Sequence, residues 1–307
     1  MCLPHHVCPV SRSPGSGRTH GCAPTTTMNH YQKMGFYFIF FLLLGWGGIV
    51  RSDEKPLRWI VYYGSHLSQT YLQHIDLAIL DPDAIRPKDL APVPTRLVGY
   101  VSVGEAEESR AYWPQVVGKD FLVEQNPDWP GAHRVDVRSP AWQALLMQRI
   151  QQLITAGYQG VFLDTIDTAA YLEEKDSKYA GAKQAVVALV QAIHKKYPQF
   201  MIIPNNGLEF LMDYGAAIDG VVVEDLYTRY DFKRKRTIPT PPEETLAKEK
   251  LLDPFRQKYH KPVWTILYEK NRQAPVIRQA MDRARFKGYQ WYVTTVDLTH
   301  LGYVQTP

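Results

Sequence analysis

The sequence contains little cysteine, and all of it lies near the beginning of the chain. Only three of the 307 residues are cysteines, at positions 2, 8 and 22. Residues 53–307 therefore cannot form a disulfide, a cysteine-ligated metal site or a thiol nucleophile. A chain of this length without cross-links is typical of a domain held together by one large hydrophobic core.

Residues 53–307 also have no net charge. The chain as a whole carries +4, and the four basic residues of the first 52 positions, which include no acidic residue, account for all of it. Nothing in this balance indicates a basic surface for nucleic acid. We therefore expect no nucleic-acid partner.

Several common enzyme signatures are missing as well. The six histidines of residues 53–307 never form a His-x-His pair, which argues against a histidine-ligated metal. No glycine-rich phosphate loop follows the last apolar segments, and no G-x-S-x-G nucleophile motif occurs. We expect neither a metal nor a cofactor.

The longest apolar run is too short for a comfortable membrane span. Residues 1–27 are rich in Pro, Gly, Ser and Thr, and we expect a disordered or spurious extension there. The run from Gly35 to Val50 fits the apolar part of a signal peptide, whereas a span needs about 20 residues. With Val50 and Ser52 before a cleavage point, we expect a signal peptide over residues 28–52. The product would be secreted, periplasmic or in the cell envelope; the alternative, an uncleaved anchor, would be the one membrane contact.

Eight short apolar segments alternate with helical or loop segments between residues 53 and 307. This alternation predicts an α/β fold, a single (β/α)8 TIM barrel, with elongated loops after strands 3 and 6. The loops cover residues 105–138 and 226–242, and the second contains the basic patch 233–236. The predicted strands are Trp59–Gly64, Leu77–Asp81, Leu97–Val103, Gly160–Asp164, Phe200–Asn205, Gly220–Glu224, Val263–Tyr268 and Gln290–Val296.

Most of these strands are followed by a polar side chain. Catalytic residues of such barrels lie at the carboxyl ends of the strands, so these ends define an acidic mouth with amides and aromatic rings around it. Paired carboxylates beside aromatic rings are typical of glycoside cleavage. The residues concerned are Asp81, Ser102, Glu105, Asp164, Asp167, Asn205, Asn206, Glu224, Asp225, Tyr268, Glu269 and Asp297.

Four strings in this chain resemble glycoside hydrolase family 114, whose members are endo-α-1,4-polygalactosaminidases. They are G-Y-V-S-V-G-E-A-E from residue 99, W-P-G followed by V-D-V over 129–137, G-V-F-L-D-T-I-D from 160, and V-V-E-D-L from 222. The resemblance covers the whole predicted barrel. It implies that the catalytic pair consists of the Asp that ends strand 4 and the Glu that ends strand 6.

These positions are Asp164 and Glu224, and the apolar pattern of the sequence also places both at the ends of predicted strands. We expect Asp164 to be the nucleophile and Glu224 the general acid/base of a retaining hydrolase, although Asp167 could exchange roles with Asp164 or cap the next helix. Glu105 and Asp136 could instead form ion pairs with nearby arginines. The predicted substrate-binding residues are Tyr62, Tyr100, Glu105, Asp136, Asp167, Asn205, Tyr227, Tyr268 and Trp291.

Together these observations predict an exported, cofactor-free, monomeric glycoside hydrolase that cleaves an α-linked, galactosamine-containing polysaccharide internally. An acidic mouth suits the protonated amines of such a polymer. One alternative is a carbohydrate-binding barrel without catalysis, working in exopolysaccharide or envelope assembly. A second is a hydrolase or lyase with another substrate, such as an anionic polymer held by the basic patch.

Overall fold

Parallel strands alternating with helices make up most of the chain in the computed structural model, which describes residues 56–90 and 92–305. The predicted extension over 1–27 and signal peptide over 28–52 lie outside the described residues. None of the helices in the described part of the chain is long and apolar enough to span a membrane.

The strands, in chain order, are β1 (Trp59–Tyr62), β2 (Leu77–Leu80), β3 (Arg96–Ser102), β4 (Glu105–Glu107), β5 (Leu122–Gln125), β6 (Ala132–Val135), β7 (Gly160–Asp164), β8 (Met201–Pro204), β9 (Val221–Val223), β10 (Thr228–Asp231), β11 (Arg236–Pro239), β12 (Val263–Tyr268), β13 (Gln290–Thr294) and β14 (Tyr303–Val304). The helices are α1 (Gln69–Leu72), α2 (Trp113–Val116), α3 (Pro140–Ala156), α4 (Thr168–Lys175), α5 (Ala182–Lys196), α6 (Leu211–Tyr214), α7 (Pro242–Tyr259) and α8 (Pro275–Lys287).

Eight of these strands form the wall of a (β/α)8 barrel, as the sequence predicts. Strands β1, β2, β3, β7 and β8 pair in parallel in that order, and β9, β12 and β13 continue the wall in parallel. A single bridge between Asn205 and Val222 joins the two groups. Counted around the barrel, β7, β8 and β9 are therefore the fourth, fifth and sixth strands, and they are neighbours.

The seam between the last and first barrel strands is not closed by a continuous ladder. The short strand β14 pairs antiparallel with the free edge of β13, where β1 would otherwise pair. Contact across the seam comes from the Tyr63 amide, which donates to the carbonyl of Leu298 at 2.8 Å, and from the ring of Trp59, which packs 5.7 Å from that of Tyr292. One backbone hydrogen bond and the packing of two aromatic rings thus connect the two sides of a seam that has no continuous strand ladder.

The two elongated loops contain small antiparallel sheets. The loop after the third strand folds into β4, β6 and β5, paired in that order, and the loop after the sixth strand is the hairpin of β10 and β11. Because both leave the carboxyl ends of barrel strands, both lie at the mouth.

Local sequence signals set the ends of the helices. Ser139 caps α3 by accepting a hydrogen bond from the amide of Trp142, and Pro140 occupies the first turn, where a missing N–H costs nothing. The helix ends at Gly157, whose φ of 95° lies in the left-handed region that glycine adopts without strain.

Trp142 connects α3 to the barrel wall. It is fully buried, its indole N–H donates to the carbonyl of Val103 at 2.8 Å, and its ring packs 5.8 Å from that of Phe121 and 5.9 Å from that of Tyr112. The same side chain therefore fills core volume and satisfies a backbone acceptor at the end of the third strand.

We expect Trp142→Ala to lower the free energy of unfolding by about 3–5 kcal/mol, because it leaves a cavity and an unpaired carbonyl. Trp142→Phe, which keeps most of the volume, should lose about 1–2 kcal/mol less. Urea unfolding measures both, with Phe286→Ala as the control, since that ring is 86% exposed and its loss should stay within about 0.5 kcal/mol. Equal losses for the alanine variants at positions 142 and 286 would contradict this.

Candidate active site

The centre of the mouth is formed by three neighbouring strand ends. Asp164 ends β7, Asn205 follows β8 and Glu224 follows β9. Side chains alternate between the two faces of a strand, and these three occupy the phase that faces the barrel interior. Asp164 lies opposite Ser102 of β3 in the register, so the third strand borders the same group.

One amide group connects the two carboxylates. The Nδ2 of Asn205 donates to Oδ1 of Asp164 at 2.8 Å and to Oε1 of Glu224 at 2.7 Å. Those two oxygens are therefore separated by no more than the combined length of the two bonds, 5.5 Å. Asn205 is only 4% exposed, and its own Oδ1 has no hydrogen-bond partner among the described residues.

Burial raises the pKa of Glu224 to about 7. The negative charge of Asp164 adds to this effect, whereas hydrogen bonds from Tyr268 and Asn205 lower the pKa and compensate in part. Glu224 therefore retains its proton in mildly acidic solution, as a general acid must.

Three tyrosines surround the carboxylate pair. Burial, and then the charge of nearby carboxylates, holds the pKa values of Tyr63, Tyr100 and Tyr268 well above the ordinary value, so their hydroxyls remain protonated donors. The rings of Tyr63 and Tyr100 meet edge to face, 5.2 Å apart, and the hydroxyl of Tyr100 donates to Glu107 at 2.9 Å.

Two further predicted carboxylates lie beside the pair. Glu105 is buried, accepts a hydrogen bond from Asn126 at 2.8 Å, and has a pKa raised by burial. Asp167 occupies the N-cap position of α4 without making a side-chain capping bond. Asp167 is exposed to solvent, but the protein around it removes part of its hydration. This loss of hydration, and secondarily the charge of Asp164, raise the pKa of Asp167 to about 6.

Four predicted substrate-binding residues lie away from the carboxylate pair. Tyr62 donates to the carbonyl of His66, and Tyr227 donates to Glu249 of α7. Asp136 is bound by the guanidinium of Arg138 at 2.7 and 2.8 Å, which lowers its pKa and matches the ion-pair alternative. Trp291 precedes the inward-facing Tyr292 on β13, so its side chain points to the opposite face of the strand and is buried on the outside of the wall. The structure does not bring these four side chains to the carboxylate pair.

Sequence reasoning selected Tyr62 where the structure places Tyr63 at the mouth. The inward phase of β1 runs through Trp59 and Val61, and Tyr63 continues it one residue past the assigned strand end. Following that alternation from Trp59 would have identified Tyr63. A strand read alone does not show which of its two phases faces inward.

Lys248 is a second residue that sequence reasoning missed. From α7, its ammonium group donates to the backbone carbonyls of Glu224 at 3.0 Å and Asp225 at 3.1 Å. Burial lowers its pKa, while the charges of Asp225 and other carboxylates oppose that shift. Lys248 thus holds the turn that aims Glu224, and no local sequence signal marks it.

The basic patch 233–236 forms the tip of the hairpin of β10 and β11. Arg234 pairs with Asp231 of the same hairpin at 2.8 Å, and the patch is otherwise exposed. Among the described residues, no hydrogen bond or ion pair is found between this patch and Asp164, Asn205 or Glu224.

Comparison with known proteins identifies relatives over most of the chain. The sequence profile of Glycoside-hydrolase family GH114 matches residues 54–306. A protein of Deinococcus radiodurans is 33% identical over 250 residues, which are 76% of this chain and 77% of that protein. A protein of Methanocaldococcus jannaschii is 30% identical over 220 residues, and the match covers 65% of this chain and 61% of that protein.

Two solved structures share the fold. The glycoside hydrolase domain of PelA from Pseudomonas aeruginosa superposes with a TM-score of 0.72 at 23% identity, covering 81% of this chain and 99% of that domain. Aspergillus fumigatus Ega3, crystallised in complex with galactosamine, superposes with a TM-score of 0.63 at 16% identity, covering 84% of this chain and 100% of the other.

We expect Asn205→Ala to raise the pKa of Glu224, because it removes a donor that stabilises the carboxylate form. The descending limb of the pH profile of kcat/KM, where the acid loses its proton, should move to higher pH, and kcat should fall about a hundredfold as the pair loses its fixed geometry. Gln191→Ala, which removes an exposed amide on α5, is the control. A limb that moves to lower pH would contradict the assignment.

A second prediction concerns stability. Because the pKa of Glu224 is raised by folding, the folded protein binds this proton more tightly than the unfolded chain, so the group destabilises the fold progressively from about pH 4.5 to pH 7. Glu224→Gln removes this titrating group. Compared with the unsubstituted protein, the variant should gain about 1–3 kcal/mol more free energy of unfolding at pH 8 than at pH 5.

Urea unfolding at the two pH values measures this difference. Glu174→Gln, at an exposed position of α4, is the matched control and should change neither value. A Glu224→Gln protein whose extra stability is the same at both pH values would show that burial does not shift the proton equilibrium of this carboxyl group.

Proposed function

The chain belongs to glycoside-hydrolase family GH114, and on that premise we propose that it cleaves a galactosamine-containing polysaccharide with retention of anomeric configuration. Family membership makes the chain a glycoside hydrolase, so the alternative of a barrel without catalysis is not retained. The observation that carries the mechanism is the single amide that binds both Asp164 and Glu224.

The separation of the carboxylates favours retention. Retaining glycosidases hold their two carboxyl groups about 5–5.5 Å apart, whereas inverting enzymes need about 6.5–9.5 Å to admit a water molecule. The two bridged oxygens are at most 5.5 Å apart, which is below the range for inversion and compatible with retention. A sugar placed here would be within reach of both groups without an intervening water.

The proposed reaction has two steps. Asp164 attacks the anomeric carbon, the glycosidic C–O bond breaks, and the leaving oxygen keeps the electron pair and takes the proton of Glu224. In the second step water attacks the anomeric carbon of the resulting ester and gives a proton to the Glu224 carboxylate. As the water oxygen bonds to the anomeric carbon, the bond between that carbon and the Asp164 oxygen breaks, and its electron pair returns Asp164 to the carboxylate form.

The pKa of Glu224 suits this division of labour. A carboxyl group with a pKa of about 7 is protonated when the first step needs an acid, and it accepts a proton in the second. Once Asp164 is esterified, the charge that helps to raise the pKa of Glu224 is gone. Glu224 then becomes more acidic, so it is ionised when a base is required.

The surrounding charge supports an amino-sugar substrate. Besides Asp164 and Glu224, the mouth contains Glu105 and Asp167. The pKa values of these two carboxyl groups are raised by loss of hydration and further by the charge of Asp164, which indicates that the carboxylates repel one another. Protonated amines would relieve the repulsion among these groups. Ega3, which shares the fold, was crystallised with galactosamine. We further propose that the enzyme acts outside the cytoplasm, which the apolar run at 35–50 supports.

We expect purified protein to shorten α-1,4-galactosamine oligomers, with the first product released in the α configuration. Mass spectrometry detects the products and proton NMR their initial anomer. Asp164→Asn and Glu224→Gln should each lower kcat at least a thousandfold. Asp213→Asn, at an exposed position of α6, is the control and should retain activity.

The roles of the two carboxylates can be separated. A dinitrophenyl oligomer glycoside needs no acid for departure of its leaving group, so Glu224→Ala should form the ester from it readily and Asp164→Ala should not. With azide added, Glu224→Ala should yield an α-glycosyl azide and Asp164→Ala a β-glycosyl azide. A β product released first by the unsubstituted enzyme would instead show inversion.

A further inference from the structure

An aromatic cluster stands on the tips of the two loops at the mouth. Trp129, between β5 and β6, is 51% exposed, and Phe232, between β10 and β11, is 53% exposed. Their rings lie 5.7 Å apart at 83°, and Tyr230 extends the group with a ring 5.2 Å from Phe232 at 81°. We name Trp129, Tyr230 and Phe232 the outer aromatic cluster.

The arrangement of these rings leaves aromatic surface open to a ligand. In an edge-to-face contact one ring presents only its edge, so neither of its faces is covered by that partner. Trp129 and Phe232 each leave about half of their surface uncovered by the rest of the chain. Exposed aromatic rings that are grouped rather than scattered indicate a binding surface.

Hydrogen bonds connect both loops to residues of the proposed catalytic centre. In the first, Asn126 donates to Glu105 at 2.8 Å, and Glu105 lies opposite Arg134 of β6 in the register. In the second, the hydroxyl of Thr237 donates to the carbonyl of Tyr268, and that of Thr240 donates to the carbonyl of Asp225 at 3.0 Å. The cluster is thus carried by segments whose bases hold site residues.

The contact between the tips also crosses the reactive strand ends. The two loops leave the third and sixth barrel strands, β3 and β9, and between these stand β7 and β8, whose ends carry Asp164 and Asn205. Because the rings of Trp129 and Phe232 are in contact, the two loops together span this part of the mouth. A polymer that enters the carboxylate pair along this side passes the cluster.

We propose that the outer aromatic cluster is a sugar-binding subsite, which packs against pyranose rings beyond those at the carboxylate pair. The inference rests on the proposed function, because its ligand is the same polysaccharide. Aromatic rings offer a flat apolar face with little conformational freedom to lose, which suits the C–H face of a sugar ring. The subsite would favour long chains over short ones.

Binding measured without turnover tests this. In a Glu224→Gln background, isothermal titration with α-1,4-galactosamine oligomers of increasing length should show that affinity rises with length. Adding Trp129→Ala or Phe232→Ala should lower the affinity for the longest oligomers about three- to tenfold, and less for the shortest. Trp129→Tyr, which keeps an aromatic face, should restore most of the loss.

Phe286→Ala is the matched control, because this exposed ring lies near the end of α8, on the face of the barrel opposite the mouth. Circular dichroism and urea unfolding establish that each variant is folded. In the enzyme with Glu224 intact, the same substitutions should raise KM for long oligomers more than they lower kcat.

The two proposals fail in different ways. Affinities that do not change with Trp129→Ala and Phe232→Ala, or that fall equally at every length, would overturn the subsite even if the enzyme hydrolyses the oligomers. Length-dependent loss of affinity without any hydrolysis by the unsubstituted enzyme would leave the subsite standing and overturn the proposed reaction.

Discussion

The fold at the mouth depends on holding two carboxylates side by side in partly buried surroundings, where their mutual repulsion is large. The structure meets this constraint with one amide and one proton: Asn205 donates to both Asp164 and Glu224, and burial keeps a proton on Glu224 up to about pH 7. This arrangement requires three adjacent strands to end at the same height. A parallel wall meets this requirement, because the carboxyl ends of its fourth, fifth and sixth strands lie at the same edge and carry Asp164, Asn205 and Glu224.

The backbone is strained at the residues that follow these three side chains. Thr165, Asn206 and Asp225, which directly follow the three site residues, have φ values of 56°, 54° and 53°. Such left-handed conformations cost about 1–3 kcal/mol in non-glycine residues and are most unusual for a β-branched one such as Thr165. Local contacts hold each turn: the Thr165 hydroxyl accepts from the amide of Gly104, the Asn206 amide donates to Val222, and Lys248 binds the carbonyl of Asp225. These turns lower the stability of the fold and fix the directions of Asp164, Asn205 and Glu224.

The two elongated loops add to this centre without altering the wall. The sheet of β4, β5 and β6 places Glu105 beside the pair, and the hairpin of β10 and β11 braces Tyr268 and Asp225 from the other side. Their tips then carry aromatic rings over the reactive strand ends. In our proposal the barrel therefore carries out the chemistry, and the two loops recognise a long polymer.

Hydrophobic patterning and turn residues in the sequence determined the eight wall strands and the limits of helices such as α3, because short apolar runs and caps are local signals. The same patterning makes Asp164 and Glu224 candidates, since each directly ends an apolar run, and the family resemblance selected them from the other strand-end residues. Only the tertiary structure decided which neighbours share that centre. Tyr63 rather than Tyr62 reaches it, because the inward phase of β1 depends on packing against other strands. Tyr227 donates to Glu249 of α7, and Lys248 binds the carbonyl of Glu224 from 24 positions further along the chain. Contacts between residues so distant in sequence leave no periodic pattern, because they exist only once the elements have packed together.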